Sequence, residues 1–445
     1  MTPLRLTCVL LAAVVLGQGI PRGGSHSASP PRVTWRPAIA VASGEAVVTP
    51  WRMNASEWRY VDDPTVAMDG EGFVGVAWAD QSRKDIFFQL YDHEGKTQLT
   101  QPVNVSKSAR IFSWLPRMAI AAGASRRVYL LWQEIVFSGG SHGGEILFAR
   151  SIDGGRSFGA PINLSNTPAG DGKGRLNPDL WHNGSLDLAL GSDGTLHAAW
   201  TEYEGVLRYS RSTDGGESFS RPLRVAGRRA NPGRGPSLCV DARRLYLAWA
   251  VGEDPRADIH LAISTDQGRT FGPPRLHFKS KGHADAPKVA VDTKGVLHLA
   301  YAQSSGGPFG RYHIRYARST DGGRSFEPAR EISGPLRGFE SANFPSLSVD
   351  ADGNVYMVWE LFPDARGRPR GLGFAYSRDG GRTFSPPSLI PSTMDPERGF
   401  NGSRQGLLMR KLAVHGSGAI AVGNSTFRAD EESRVRLLLG RTGGQ

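Results

Sequence analysis

Residues 318–326 read RSTDGGRSF, and near copies stand at 150–158 (RSIDGGRSF), 211–219 (RSTDGGESF), 263–271 (ISTDQGRTF) and 376–384 (YSRDGGRTF). A segment so rich in hydroxyls, Asp and Gly is either a repeated site or a repeated turn. Asp153, Asp214, Asp266, Asp321 and Asp379 each offer a short carboxylate that can accept nearby backbone N–H groups. Gly155, Gly216, Gly268, Gly323 and Gly381 follow two residues later, where a tight turn calls for positive φ. Phe158, Phe219, Phe271, Phe326 and Phe384 close each copy with an apolar plug. Five equivalent copies cannot together make one active site, so they read as turns and mark the fold, not the reaction.

The flanking residues repeat too. FPSLSVDADGNVYMVWE, from Phe344, has relatives starting at Asp63, Leu115, Gly184, Gly235 and Ala286, with a weaker seventh from Leu408. Each is an apolar strand, a turn and a second apolar strand, and six end in an aromatic: Trp78, Trp132, Trp200, Trp249, Tyr301 and Trp359. A third strand such as IRYARS precedes the nonapeptide and a fourth such as EPAREIS follows it. Four antiparallel strands recurring roughly every 50–65 residues predict an all-β β-propeller of four-stranded antiparallel blades. Seven hairpins favour seven blades, with six as the alternative. The N-terminal VTWRPAIAVAS is expected to supply an outer strand that closes the ring.

The chain has 445 residues, with 56 Gly and 29 Pro, which suits many short strands. Arg5 followed by LTCVLLAAVVLG reads as a signal peptide over 1–28, then a lead over 29–61 and one propeller domain over 62–445. That address is secreted or cell-envelope; an uncleaved segment would instead tie the protein to a membrane. The net charge of +11 comes mainly from scattered arginines without a nucleic-acid-binding module, so nucleic acid is not an expected partner. Once Cys8 leaves with the signal, Cys239 is alone in a strand-like run and reads as a buried, inert thiol. The histidines show no ligand spacing, and DADGN from Asp350 lacks the later Glu of a calcium loop. No metal or cofactor is expected.

S-x-D-x-G-x-[ST]-F resembles the Asp-box, or bacterial neuraminidase repeat, of sialidases and sialidase-like propellers, and the repeats cover nearly everything from about Asp62 onward. The resemblance implies a propeller whose central funnel meets sugars. In true sialidases three arginines bind the substrate carboxylate, the first in a Phe/Tyr-Arg-Ile-Pro motif. A Tyr activated by Glu is the nucleophile and an Asp the acid/base. This chain has VDDPTV where that arginine motif would stand.

Propeller topology puts the tight hairpins and the nonapeptide turns on one face, and the longer, more varied loops on the other. On that second face, polar residues follow the aromatics (Asp80, Glu134, Glu202, Gln303, Glu360), while Trp114, Arg117, Trp181, Arg234, His283, Asp285 and Arg404 enter the first strands. Carboxylates for proton transfer, arginines for bidentate bonds and aromatics for stacking suit a sugar. The expected catalytic residues are Asp80, Glu202, Tyr203 and Glu360. Arg83, Arg117, Arg234, Arg404, Trp114 and Trp181 are the expected substrate-binding residues. The resemblance puts Asp80 and Arg83 near the sialidase acid and Arg404 near the third arginine. The resulting expectation is an exported propeller acting on or binding extracellular glycans, as an exo-sialidase or another glycoside hydrolase. The alternative is a non-catalytic glycan-binding or protein-interaction propeller.

Overall fold

A computed structural model describes residues 33–443, apart from 51, 53, 124, 135–144, 167–175, 178–179, 182–184, 203–204, 229, 253–256, 281, 366, 395–399, 402–409 and 417. It is a seven-bladed, all-β propeller, with no helix among the described residues. Blade 1 shows the pattern: Val61–Met68 innermost, then Val74–Asp80, Asp85–Tyr91 and Val103–Asn104, each antiparallel to the last. The innermost strands of blades 2 to 6 are Ser113–Ala121, Leu186–Leu190, Gly233–Val240, His283–Val291 and Ser341–Val349. Blade 7 begins with Leu412–His415, Ala419–Arg428 and Glu432–Thr442. The N-terminal Val33–Trp35 and Ile39–Gly44 pair with Glu432–Thr442, so the two ends of the chain share one blade.

Single blades cannot bury both faces, and the repeated aromatic solves this between neighbours. Trp132, Trp200, Trp249 and Trp359 are fully buried, each packed into the wedge between its own blade and the preceding one. Trp78 and Tyr301 do the same for blades 1 and 5. Truncating one of these tryptophans costs on the order of 3–5 kcal/mol. In blade 7 the buried Asn424 stands two residues beyond Val422, on the face where the other blades carry their aromatic.

The nonapeptides are the turns between third and fourth strands. Asp321 accepts the N–H groups of Arg324 (2.9 Å) and Ser325 (3.0 Å) and the Ser325 hydroxyl (2.6 Å). Ser319 donates its hydroxyl to Asp321 (2.8 Å) while accepting the Gly323 N–H (2.8 Å). The other four copies repeat this network. The leading arginine has its own task. Arg150, Arg211 and Arg318 each reach a carbonyl in the nonapeptide of the next blade, at Gly215, Gln267 and Gly380 (3.1, 3.3 and 3.0 Å).

The second glycine is fixed by two constraints. Gly381 has φ +78°, and a Cβ there would overlap the hydroxyl of Tyr316 on the preceding blade. Gly380 has φ +67° with open space around it. Gly381→Ala should therefore lose about 2–4 kcal/mol, the left-handed backbone cost plus overpacking, and Gly380→Ala about 1–2 kcal/mol. Thermal denaturation of the two variants separates the terms; equal losses would mean that the overlap with Tyr316 relaxes at no cost.

Candidate functional site

First strands begin and second strands end on the face opposite the nonapeptide turns, and a repeated bulge sets what they present there. Asp63, Leu115, Gly235, Ala286 and Phe344 have φ between +51° and +59°, and each precedes a proline (Pro64, Pro116, Pro236, Pro287, Pro345). The ladder shifts register at every one of these points. A proline cannot donate to the ladder, and the bulge is where the ladder can spare a donor. Asp62, Trp114, Arg234, Asp285 and Asn343 stand just before the bulge, at the rim. Thr65, Arg117, Ser237, Lys288 and Ser346 stand just after it, around the axis.

The axis is a charged strut over a narrow channel ringed by small side chains. Arg410, at the start of blade 7, crosses to blades 3 and 4, donating to Asp187 (2.8 Å) and to the Leu238 carbonyl (3.0 Å). Arg117 Nε lies 4.0 Å from Asp187. Burial pushes the Lys288 amine down to about 7, opposed by Asp187 and reinforced by Arg117 and Arg410. Beneath them is a channel of about 390 Å³, ringed by Ala67, Ala119, Ala189, Cys239, Ala290, Ser348 and Ala413. Only small side chains fit where seven strands converge. Cys239 is half-buried against this channel rather than fully buried as expected, and desolvation pushes its thiol well above its ordinary value.

Between blades 4 and 5 the rim brings together groups whose bonding is incomplete. Arg234 and Asp285 hold equivalent places before the bulge. Burial favours the neutral form of Asp285, but the Arg234 charge and His283 outweigh it and hold the carboxyl at about 2. Arg234 Nε and Nη2 are nonetheless buried without a hydrogen-bond partner among the described residues. His283 is 2% exposed, its Nε2 3.9 Å from Asp285, and its Nδ1 likewise has no partner. The Tyr312 ring meets His283 edge-on, with centroids 6.2 Å apart. Its hydroxyl donates to the Pro308 carbonyl (3.2 Å), and burial raises its pKa. Buried donors left unpaired are costly, so this cluster is suited to an anionic, hydrogen-bonding ligand.

Blades 1 to 3 contribute acids. Asp80 accepts the N–H groups of Ser82 and Arg83 (3.0 and 3.2 Å), and burial raises its pKa against the pull of Arg83. Glu202 pairs with Arg208 (2.9 Å). Glu134 is 8% exposed and accepts the Trp132 indole N–H (3.0 Å); burial pushes it to about 7.

The other predicted residues take varied places. Arg83 is exposed beside Asp80. Glu360 is fully buried in an ion pair with Lys411, and Arg117 belongs to the axial strut. Trp114 is buried between blades 1 and 2, stacked on Trp58 and bonded to Gln81 (3.1 Å). The Trp181 side chain, Tyr203 and Arg404 lie outside the described residues. Tyr312, Asp187, Lys288 and Arg410 were not singled out from the sequence. Tyr312 opens a third strand whose RYHIRYARS reads as ordinary alternation, and only the fold brings it to His283. Among the described residues, no three His, Cys, Asp or Glu side chains gather as metal ligands.

No protein-family model matches the chain, and no curated protein does. Among solved structures it is similar to an ulvan lyase of polysaccharide lyase family PL25 bound to -[GlcA(1-4)Rha3S]-, at 12% identity and TM-score 0.57 over 89% of this chain and 95% of that one. It is also similar to an α-L-arabinanase of Penicillium chrysogenum complexed with arabinobiose, at 14% identity and TM-score 0.51 over 72% and 92%. A third is the polysaccharide lyase Uly1, at 11% identity and TM-score 0.51 over 88% and 94%. All three carry the names of glycan-cleaving enzymes, and at these identities what they share with this chain is the propeller fold.

Proposed function

We propose that the protein acts on an acidic extracellular glycan in the funnel, with Arg234 as the anchor for a sugar carboxylate. The observation that carries this is the pair of buried guanidinium nitrogens, Nε and Nη2, that have no hydrogen-bond partner among the described residues. A guanidinium edge matches a carboxylate in two parallel bonds. The neighbouring Asp285 disfavours a second anion, but it makes no hydrogen bond or ion pair with Arg234 among the described residues, so both nitrogens stay open to a ligand. The solved structures of similar fold named for polysaccharide lyases and an arabinanase support a glycan as the ligand class. The nonapeptides support placing the protein with the Asp-box propellers, and the apolar N-terminus supports an address outside the cytoplasm.

Two reactions fit a carboxylated sugar. Exo-sialidase hydrolysis follows from the Asp-box resemblance. Elimination from a uronate is favoured by His283 and Tyr312 beside the guanidinium. A carboxylate neutralised on Arg234 acidifies the adjacent C5–H and His283 Nδ1 takes that proton; the C5–H electrons form the C4=C5 double bond as the C4–O bond breaks, and the departing glycosidic oxygen keeps that electron pair and takes a proton from water.

The test is calorimetric titration of glucuronate and N-acetylneuraminate into wild type and Arg234→Gln. A charged hydrogen bond is worth about 1.5–3 kcal/mol, so the variant should bind the acidic sugar roughly 10- to 150-fold more weakly. Release of fluorophore from a sialoside, or of ultraviolet-absorbing unsaturated uronate from a polysaccharide, then separates the reactions. A folded wild type that binds neither sugar, or a variant that binds as well as wild type, would remove Arg234 from this role.

A further inference from the structure

We infer that the funnel continues, past Tyr312, into a second sugar subsite between blades 5 and 6, with Phe309 as its stacking platform; this rests on the acidic-glycan reading above. A cleft of about 200 Å³ opens beside Tyr312 and runs along the rim. Its walls include Pro335, Leu336, Phe339, Ala342 and Leu361. Tyr312 therefore belongs to both places. One side of its ring meets His283, and it also lines the cleft.

Isolated exposed apolar side chains are common on protein surfaces and by themselves say little. Phe309 differs in its setting. It is 78% exposed, on the loop between the second and third strands of blade 5, on the funnel face. The loop is fixed at both sides of it. Tyr312 donates its hydroxyl to the Pro308 carbonyl (3.2 Å), and Arg311 pairs with Glu340 at the cleft rim (2.7 Å). The aromatic ring is thus held out to water on a loop whose Pro308 carbonyl is tied to Tyr312, itself a wall of the cleft.

The chemistry of the lining selects the ligand. Arg234 and Asp285 present opposite charges at the anchor, whereas the cleft past Tyr312 presents an apolar wall with His313, Glu331 and Glu340 beside it. The Ser333 and Ser341 hydroxyls that border it are taken by the backbone N–H groups of Ile314 and Tyr312 (3.1 and 2.9 Å). A pyranose has faces of C–H groups and a rim of hydroxyls, so it can lie against such a wall while its rim stays in water. The occupant is accordingly the neutral sugar next to the carboxylated one, recognised by its apolar face, with Glu331 and Glu340 placed to accept from its hydroxyls. The protein would then act on chains of at least two residues and discriminate poorly among neutral neighbours.

The experiment compares monosaccharides with their extended forms on the full chain: glucuronate against a hyaluronan tetrasaccharide, and N-acetylneuraminate against sialyllactose. Wild type, Phe309→Ala and Phe309→Trp are titrated calorimetrically. At least one extended ligand should bind wild type more tightly than its monosaccharide. Phe309→Ala should weaken that ligand by about 3- to 10-fold, the value of one stacking contact, and Phe309→Trp should retain it. Monosaccharide affinity should be the same in all three, because Arg234 is untouched. Extended ligands that gain nothing over monosaccharides, or an alanine variant weakened equally for both, would overturn the subsite and leave the Arg234 anchor standing. If no acidic sugar binds at all, the anchor falls and the subsite with it.

Discussion

Asp187→Ala should lower the stability of the propeller by about 3–5 kcal/mol, the usual cost of removing one member of a buried charge pair. Asp187 is fully buried and accepts the Leu238 N–H (2.8 Å) as well as Arg410. Burial disfavours its charge, yet Arg410, Lys288 and Arg117 hold the carboxyl below its ordinary range. Without it, Arg117 and Arg410 face each other around the axis, and Lys288, already held down to about 7 by burial, loses the group that favours its charge. Arg410 also loses its anchor across the ring, so blade 7 is no longer tied to blade 3. Urea unfolding of wild type, Asp187→Ala and Asp187→Ala/Lys288→Met measures this. The double variant should recover part of the loss, because methionine replaces a buried amine that would otherwise have to give up its proton once Asp187 is gone. A single variant within 1 kcal/mol of wild type would mean that water or a shifted Arg410 replaces the carboxylate.

What the sequence reveals follows from what repeats. The five nonapeptides and the aromatic-terminated hairpins are local patterns, each satisfied within one blade or against the next, so strand order could be read directly and seven blades favoured over six. The X-Pro pairs were visible as well, at Asp63, Leu115, Gly235, Ala286 and Phe344, but their bulge appears only in the ladder register. The site is the opposite case. Arg234 and Asp285 come from equivalent positions of two repeats and could be picked out, whereas their meeting with Tyr312 depends on a third strand in one blade. Arg410 reaching Asp187 spans 223 residues of sequence and the full width of the axis, and no periodicity encodes it. Glu360 illustrates the reverse error of reasoning by position. It follows an aromatic as Glu134 nearly does, yet the fold sets Lys411 against it.

Glu134 predicts how stability changes with pH. Burial raises its carboxyl from 4.5 to about 7, against the Trp132 hydrogen bond and with help from Asp85. Below pH 4.5 it is protonated in both folded and unfolded chains, so it adds no pH dependence. Between 4.5 and about 7 the unfolded chain releases the proton and the folded chain keeps it. The folded state binds more protons there, so stability falls as pH rises, by about 3 kcal/mol in all, and levels off above the folded value. Glu134→Gln keeps an acceptor for the indole and removes the titration. The stability of the variant relative to wild type should therefore rise through that window, by on the order of 3 kcal/mol, and stay constant at higher pH. Urea unfolding of both proteins at pH 5, 6, 7 and 8 gives the difference curve directly. A flat difference would mean that Glu134 ionises as freely in the fold as out of it. A falling one would mean that its charged form has a partner stronger than the indole.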